Sequence, residues 1–267
     1  MKTIGFIGAG NMGRAMMGGI LQSNIVKKED IMVSDQNENN IYEIENTFEV
    51  KTTKDNKEVA RFADILILSV KPNTYPAVIE EIKDIVKKEV IVITIAAGKD
   101  IEGTQKSFER KLKVVRTMPN TPALVGAGMT SVAFNELLTE DEKKRVIQIL
   151  ESFGKVEIVS EKLMDVVTSI SGSSPAYVFM FIEAMADAAV LDGMPRDQAY
   201  RMAAQAVLGS AKMVLDTKKH PGELKDMVCS PGGTTIEAVA TLEKKGFRFA
   251  VIEAMQKCTK KSIEMSK

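Results

Sequence analysis

One histidine, His220, and two cysteines, Cys229 and Cys258, occur among the 267 residues, and tryptophan is absent. A single imidazole excludes any metal site built on several histidines. Two thiols are too few for a disulfide framework or an iron–sulfur cluster. Lys plus Arg and Asp plus Glu each number 36, so there is no net charge. That balance lacks the basic footprint of a general nucleic-acid binder. No uninterrupted apolar run approaches about 18 residues, so no membrane span is expected. The most apolar helix candidate, 177–191, is broken by Glu183 and Asp187. Met1-Lys2-Thr3 runs directly into Ile4-Gly5-Phe6-Ile7, which leaves no room for a signal peptide. With free cysteines besides, the expected location is cytoplasmic.

What is present is ordinary globular material, 45% hydrophobic and 27% charged. The first 160 or so residues alternate short Ile/Val runs with helical patterns. Strands are expected at Ile4–Gly8, Ile31–Ser34, Ile65–Val70, Val90–Ile95 and Val114–Thr117, with Thr130–Phe134 and Val156–Val159 following. The first five runs are apolar on both faces, the mark of a parallel sheet covered by helices. Helical spacing occurs at Met12–Leu21, Tyr75–Lys88 and Ile101–Lys111, and Thr139 with Glu140, Asp141 and Glu142 signals another helix start. Residues 1–161 are therefore predicted to form a doubly wound, mostly parallel α/β domain.

From residue 162 the strand runs stop. Leu163–Ser171, Pro175–Leu191, Pro195–Leu215, Thr234–Lys244 and Phe247–Met265 all read as helices, so 162–267 is predicted to be an all-α domain. Pro175 and Pro195 suit first-turn positions. The 175–191 helix is apolar nearly all round, and helices of that kind are buried ones. A bundle of about 100 residues has trouble burying them itself, which predicts a subunit interface here.

Gly8-Ala9-Gly10-Asn11-Met12-Gly13 follows a strand and opens a helix. Such glycines allow a tight turn and close approach to a pyrophosphate, and the helix N-terminus offers free N–H groups. Asp35 ends the second strand 22 positions after Gly13, where a ribose diol is usually gripped. A carboxylate there repels a 2′-phosphate, and no Lys or Arg occurs from Gln36 to Asn40, so the lean is toward NADH; Ser34 could instead donate to a phosphate. Val70-Lys71-Pro72, Ala96-Ala97-Gly98 and Met118-Pro119-Asn120-Thr121-Pro122 follow successive strands, and ligands of such sheets sit at those strand ends. Lys71 is either beside the cofactor or a plain surface lysine. The small alanines suit a flat nicotinamide, and Asn120 offers an amide.

Ser230-Pro231-Gly232-Gly233-Thr234-Thr235 precedes a helical pattern. It reads equally as a carboxylate-binding nest or as an ordinary Ser/Thr helix cap. His220, in His220-Pro221-Gly222-Glu223, reads as a turn or cap residue rather than an acid–base group, and Cys229 as a small packed residue.

Taken together, these stretches resemble the pyrroline-5-carboxylate reductase family. The resemblance is strongest over 226–238, which looks like the family's signature. It extends through Gly8–Gly13, Val70-Lys71-Pro72, Ala96-Ala97-Gly98, 116–123, Ser171-Gly172-Ser173, Pro175-Ala176-Tyr177 and His220-Pro221-Gly222. It implies a Rossmann-like domain followed by a helical dimerisation domain, and NADPH- or NADH-dependent reduction of L-Δ1-pyrroline-5-carboxylate to L-proline. It further implies a homodimer interleaved through the C-terminal helices, with dimers often assembling into a decamer. Ser230, Gly233, Thr234 and Thr235 match the family's substrate-carboxylate loop. Asn56 matches a position near the cofactor's adenosine end, and Lys71 the position after the third strand. The family's usual Ser-Gly-Ser-Gly-Pro departs here, with Ser174 before Pro175.

The reaction needs hydride delivered to an imine carbon and a protonated nitrogen, for which Thr235 is the candidate hydrogen-bond donor. Two rivals are weaker. A β-hydroxyacid dehydrogenase would place a lysine in the long helix, and 171–187 has none. A non-catalytic dinucleotide sensor would need the glycine loop but not the Ser230–Thr235 turn.

Overall fold

A computed structural model describes residues 2–265. Eight strands form one sheet: β1 (Ile4–Ile7), β2 (Ile31–Ser34), β3 (Lys51–Thr53), β4 (Ile65–Leu68), β5 (Ile91–Thr94), β6 (Lys113–Met118), β7 (Gly128–Phe134) and β8 (Gly154–Ile158). The strand order is β3-β2-β1-β4-β5-β6-β7-β8. Every pairing is parallel except β6–β7. The chain leaves β1 in one direction and returns to its other side with β4, so the order reverses there, where doubly wound sheets leave a crevice.

The first helices are α1 (Asn11–Gln22), α2 (Glu38–Phe48), α3 (Asn56–Phe62), α4 (Tyr75–Ile82), α5 (Ile101–Ser107) and α6 (Glu140–Glu151). Alternate strand residues face opposite layers, as the two-residue period requires. Phe6, Val33, Ile65 and Ile67 pack with Met16, Met17 and Ile20 of α1 and with Val146 and Leu150 of α6. Leu66, Leu68, Val92 and Val114 pack with Val59 and Ala60 of α3 and with Ile79 and Ile82 of α4. The continuous Ile/Val runs follow from this double burial.

Sequence patterning passes over α2, β3 and α3. In α2 only Ile44 is buried, and β3 is a three-residue polar edge strand, so neither carries an apolar period. The helices expected to reach Lys88 and Lys111 stop at Ile82 and Ser107. Thr139 does cap α6, in a reciprocal capping box with Glu142.

Glu142 also accepts from Lys113 at 2.9 Å and from Lys2 at 3.3 Å. Partial burial pushes its carboxyl up, but this is outweighed by the hydrogen bonds from Lys113, the Thr139 N–H and Lys2, which bring it down to about 2 from 4.5. A carboxyl depressed in the folded state adds stability above its unfolded value and loses it as the pH falls toward the folded one. Thermal unfolding should therefore show a Glu142-dependent drop between about pH 4.5 and about pH 2. Glu142→Gln should lower the midpoint at pH 7 and flatten that drop.

The described chain divides into two compact units: one holds residues 2–173 and 258–265, and the other spans Ser174–Lys257. The first unit includes α7 (Met164–Val167) and the π-helical turn Thr168–Gly172. The second contains α8 (Ser174–Leu191), α9 (Arg196–Thr217), α10 (Pro221–Val228), α11 (Thr234–Lys244) and most of α12 (Phe247–Met265). Pro175 lies in the first turn of α8, whereas Pro195 is the N-cap of α9 rather than a first-turn residue. Ser174 opens α8 without a positive φ, so a side chain is tolerated where the family pattern has glycine.

In the single chain α8 buries only Pro175 and Ala186, while Phe179, Met180, Leu208, Leu215 and Phe249 stand exposed. The helical stretch Glu161–Leu191 is also long and apolar enough to cross a membrane by length and composition. Counting uninterrupted apolar runs misses it because Glu183 and Asp187 interrupt the pattern without much lowering its mean.

Candidate active site

At the carboxyl ends of β1, β2, β4, β5 and β6 the first unit opens into a cleft of about 880 Å³. Gly8, Gly10, Asn11, Met12, Ser34, Asp35, Asn56, Val70, Lys71, Pro72, Ala96 and Ala97 are among its lining residues, so one crevice gathers twelve of the sixteen residues expected at the cofactor.

The three glycines are explained differently. Gly8 has φ +105°, and a Cβ there would lie 2.7 Å from the Ser69 carbonyl oxygen. A Cβ on Gly13 would lie 2.7 Å from the Gly8 oxygen. Both are needed for the protein's own packing. Gly10 is different: its φ and ψ of −70° and −178° are open to any residue, and a Cβ would meet nothing within 4 Å. The space over Gly10 is therefore unfilled by the protein. It lies at the N-terminus of α1, which no side chain among the described residues caps and whose first turn has no acidic residue. Open N–H groups, the positive dipole end and free space together fit a pyrophosphate.

Asp35 accepts from the Ala9 N–H at 2.7 Å and from the Asn37 N–H at 2.8 Å. These bonds fix its carboxylate at the mouth of β2 and leave lone pairs for a diol. Ala9 thus acts through its backbone rather than by lining the cleft. Ser34 is fully buried, and its hydroxyl donates to Asn56 Oδ1 at 2.8 Å. Asn56 in turn donates to Glu81 at 2.8 Å. The Ser34 proton is thereby engaged, which corrects the expectation that it could donate to a phosphate. Lys71 is exposed and makes no ion pair with a described residue.

Asn120 also needs correction. Its Nδ2 donates to the Ser171 carbonyl at 3.0 Å and its Oδ1 accepts from the Met129 N–H at 2.8 Å. It is 92% buried and does not line the cleft. A turn rich in proline leaves few free N–H groups of its own, and the amide ties it to its neighbours. Gly98, with φ +74°, likewise shapes its turn without lining the cleft. Sequence reasoning missed Ser69, whose hydroxyl donates to the Gly8 carbonyl at 2.6 Å, and the lining residues Asn40 and Thr168. Single polar or apolar residues at loop ends carry no spacing signal.

The Ser230–Thr235 turn belongs to the second unit. Gly232 has φ +66°, and Gly233 is the N-cap of α11 with no side-chain cap. The plain Ser/Thr cap is thus not formed. The first turn of α11, which carries Thr234 and Thr235 and follows Ser230, thus keeps uncapped N–H groups, and such groups fit a carboxylate. His220 caps α10, its Nδ1 accepting from the Gly222 N–H at 3.0 Å.

Residues 161–265 match the family model for pyrroline-5-carboxylate reductase dimerisation, and residues 3–98 match that for NADP oxidoreductase, coenzyme F420-dependent. A pyrroline-5-carboxylate reductase of Escherichia coli is 53% identical over 266 residues, covering 100% of this chain and 99% of the relative. The chain belongs to the pyrroline-5-carboxylate reductase family. A reductase of the same name from Methanosarcina acetivorans is 43% identical over 100% of this chain and 98% of its own. The structure resembles Plasmodium falciparum pyrroline carboxylate reductase with NADP bound, with TM-score 0.92 and 34% identity over 100% of this chain and 98% of that one. A likeness to Mycobacterium tuberculosis 3-hydroxyisobutyrate dehydrogenase, at 15% identity and TM-score 0.53 over 82% of this chain and 72% of that one, is one of fold alone.

Proposed function

We propose that this chain reduces L-Δ1-pyrroline-5-carboxylate to L-proline with NADH or NADPH, the last step of proline biosynthesis. One observation carries the reading: an unfilled cradle over Gly10 and an uncapped Ser-Pro-Gly-Gly turn occur in one chain that matches reductases over its full length. The dinucleotide, when bound, supplies the hydride. Gly8–Gly13 and the N-terminus of α1 hold its phosphates, Asp35 its ribose, and Lys71, Pro72, Ala96 and Ala97 flank the reactive end. Ser230, Gly233 and Thr234 hold the substrate carboxylate. The Thr235 hydroxyl meets the ring nitrogen, donating to the neutral imine and orienting it by accepting its N–H once it is protonated. The imine is basic enough to be protonated before attack, so no strong general acid is needed, and positioning supplies most of the rate.

Residues 1–161 serve as the dinucleotide domain and 162–267 as the helical substrate and dimerisation domain. A second copy of the chain covers the exposed apolar faces of α8, α9 and α12, giving a cytoplasmic homodimer that can assemble into a decamer. That cover also accounts for a helix apolar enough for a membrane.

Oxidation of reduced nicotinamide on adding pyrroline-5-carboxylate, followed by absorbance with each cofactor at matched concentrations, tests the reaction. No oxidation by folded protein that binds the dinucleotide would overturn the reductase reading in favour of a sensor. Asp35 makes NADH the better cofactor, since its carboxylate repels a 2′-phosphate. Asp35→Ser should shift the kcat/KM ratio toward NADPH by about tenfold, or roughly 1.4 kcal/mol. An unchanged ratio would remove Asp35 from cofactor choice.

A further inference from the structure

The turn between β5 and α5 places Ala96 and Ala97 in the cleft, yet little within the turn fixes it. Its own backbone contributes one long hydrogen bond, from the Lys99 N–H to the Ala96 oxygen at 3.4 Å. Asp100 caps α5 from within the turn, its carboxylate accepting from the Gly103 N–H at 2.7 Å, and two further groups hold the turn from outside, one at each end.

At the first end, the β4–β5 ladder stops at the pair Leu68 and Thr94. Tyr75, the first residue of α4 and 98% buried, inserts its hydroxyl between the two chains just past that pair. The hydroxyl donates to the Leu68 carbonyl at 2.6 Å and accepts from the Ile95 N–H at 3.3 Å. Backbone groups leaving a buried sheet need partners, and one oxygen supplies both. It also couples the two strand ends that carry Val70-Lys71-Pro72 and Ala96-Ala97.

At the second end, Glu161 accepts from the Ile101 N–H at 2.8 Å, at the first helical position of α5. The same carboxylate oxygen is 3.4 Å from Nη1 of Arg116 on β6. Arg116 is 94% buried, and its Nε has no hydrogen-bond partner among the described residues. Removing Glu161 would leave this buried guanidinium without its carboxylate, a change that costs more than the pair itself contributes.

We propose that the Tyr75 hydroxyl and the Glu161 carboxylate are positioning residues of the dinucleotide cleft, clamping the Ile95–Ile101 turn at its two ends. The clamp sets the height at which Ala96 and Ala97 meet the flat nicotinamide. It rests on the reading that this cleft takes the dinucleotide.

The test uses Tyr75→Phe, Glu161→Ala, Glu161→Gln and, as a stability control, Thr139→Ala. Dissociation constants for NADH and NADPH are measured by fluorescence titration, with kcat, both KM values and thermal midpoints alongside. Tyr75→Phe and Glu161→Ala should each weaken cofactor binding about five- to twentyfold, the loss expected from one or two orphaned buried hydrogen bonds, and leave KM for pyrroline-5-carboxylate unchanged. Glu161→Gln, which keeps an acceptor for Ile101, should recover part of the loss. Thr139→Ala should lower the midpoint without moving cofactor binding. Wild-type cofactor affinity in both Tyr75→Phe and Glu161→Ala would overturn the clamp, as would an equal loss in Thr139→Ala. Should Tyr75→Phe fail to fold, the two Glu161 variants decide. A wild-type chain that binds no dinucleotide would overturn the site reading itself, and the clamp with it.

Discussion

Valine in place of Gly10 should leave the chain folded and weaken dinucleotide binding about a hundredfold. The backbone at Gly10 suits any residue, and a Cβ there meets no protein atom within 4 Å. The stability cost is then that of a poor N-cap, about 1 kcal/mol. The added side chain would, however, fill the space over the open N-terminus of α1. Losing two or three N–H contacts to phosphate costs about 3 kcal/mol, hence the factor of about a hundred. Gly8→Val and Gly13→Val should behave oppositely, damaging the fold first, because each Cβ would press on backbone at 2.7 Å. Thermal unfolding beside fluorescence titration separates the two cases. A Gly10→Val chain that binds the dinucleotide normally would place its phosphates elsewhere.

Replacing Thr235 by alanine should lower kcat/KM for pyrroline-5-carboxylate about ten- to a thousandfold, the range expected of a proton donor or orienting group. Thr235 is the second residue of α11, half-buried, just past an N-cap that no side chain satisfies. It therefore belongs to the first turn of α11, whose N–H groups are proposed to hold the carboxylate. Cofactor affinity should not change, because the dinucleotide cleft lies wholly in the other unit. A loss confined to kcat would mark a contact made as hydride arrives, and a loss shared with KM would mark binding of the ring nitrogen. Wild-type kinetics would end the assignment.

The architecture, and the strand ends that form the cleft, are legible in the sequence alone. Runs such as Ile65-Leu66-Ile67-Leu68 are apolar at every position, and only a sheet covered on both faces buries them all. The glycine spacing after β1 and the acidic end of β2 are local signals, set by a turn and a helix start a few residues apart. The weakly patterned α2 and β3 were not legible, since one buried side chain or a three-residue edge leaves no period to read.

Tertiary structure alone decided which polar groups are free. Asn120 and Ser34 carry suitable chemistry, yet Ser171, Met129 and Asn56, distant in sequence, take up their hydrogen bonds. The same holds for the fixing of Asp35 by Ala9, and for Tyr75 and Glu161 at the ends of one turn. The three glycines look alike in the sequence, and the structure separates them: two make room for the protein's own backbone, and Gly10 leaves space that the protein does not fill. Periodicity reports how a residue meets the core, whereas hydrogen-bond partners are set by whichever distant segment the fold brings alongside.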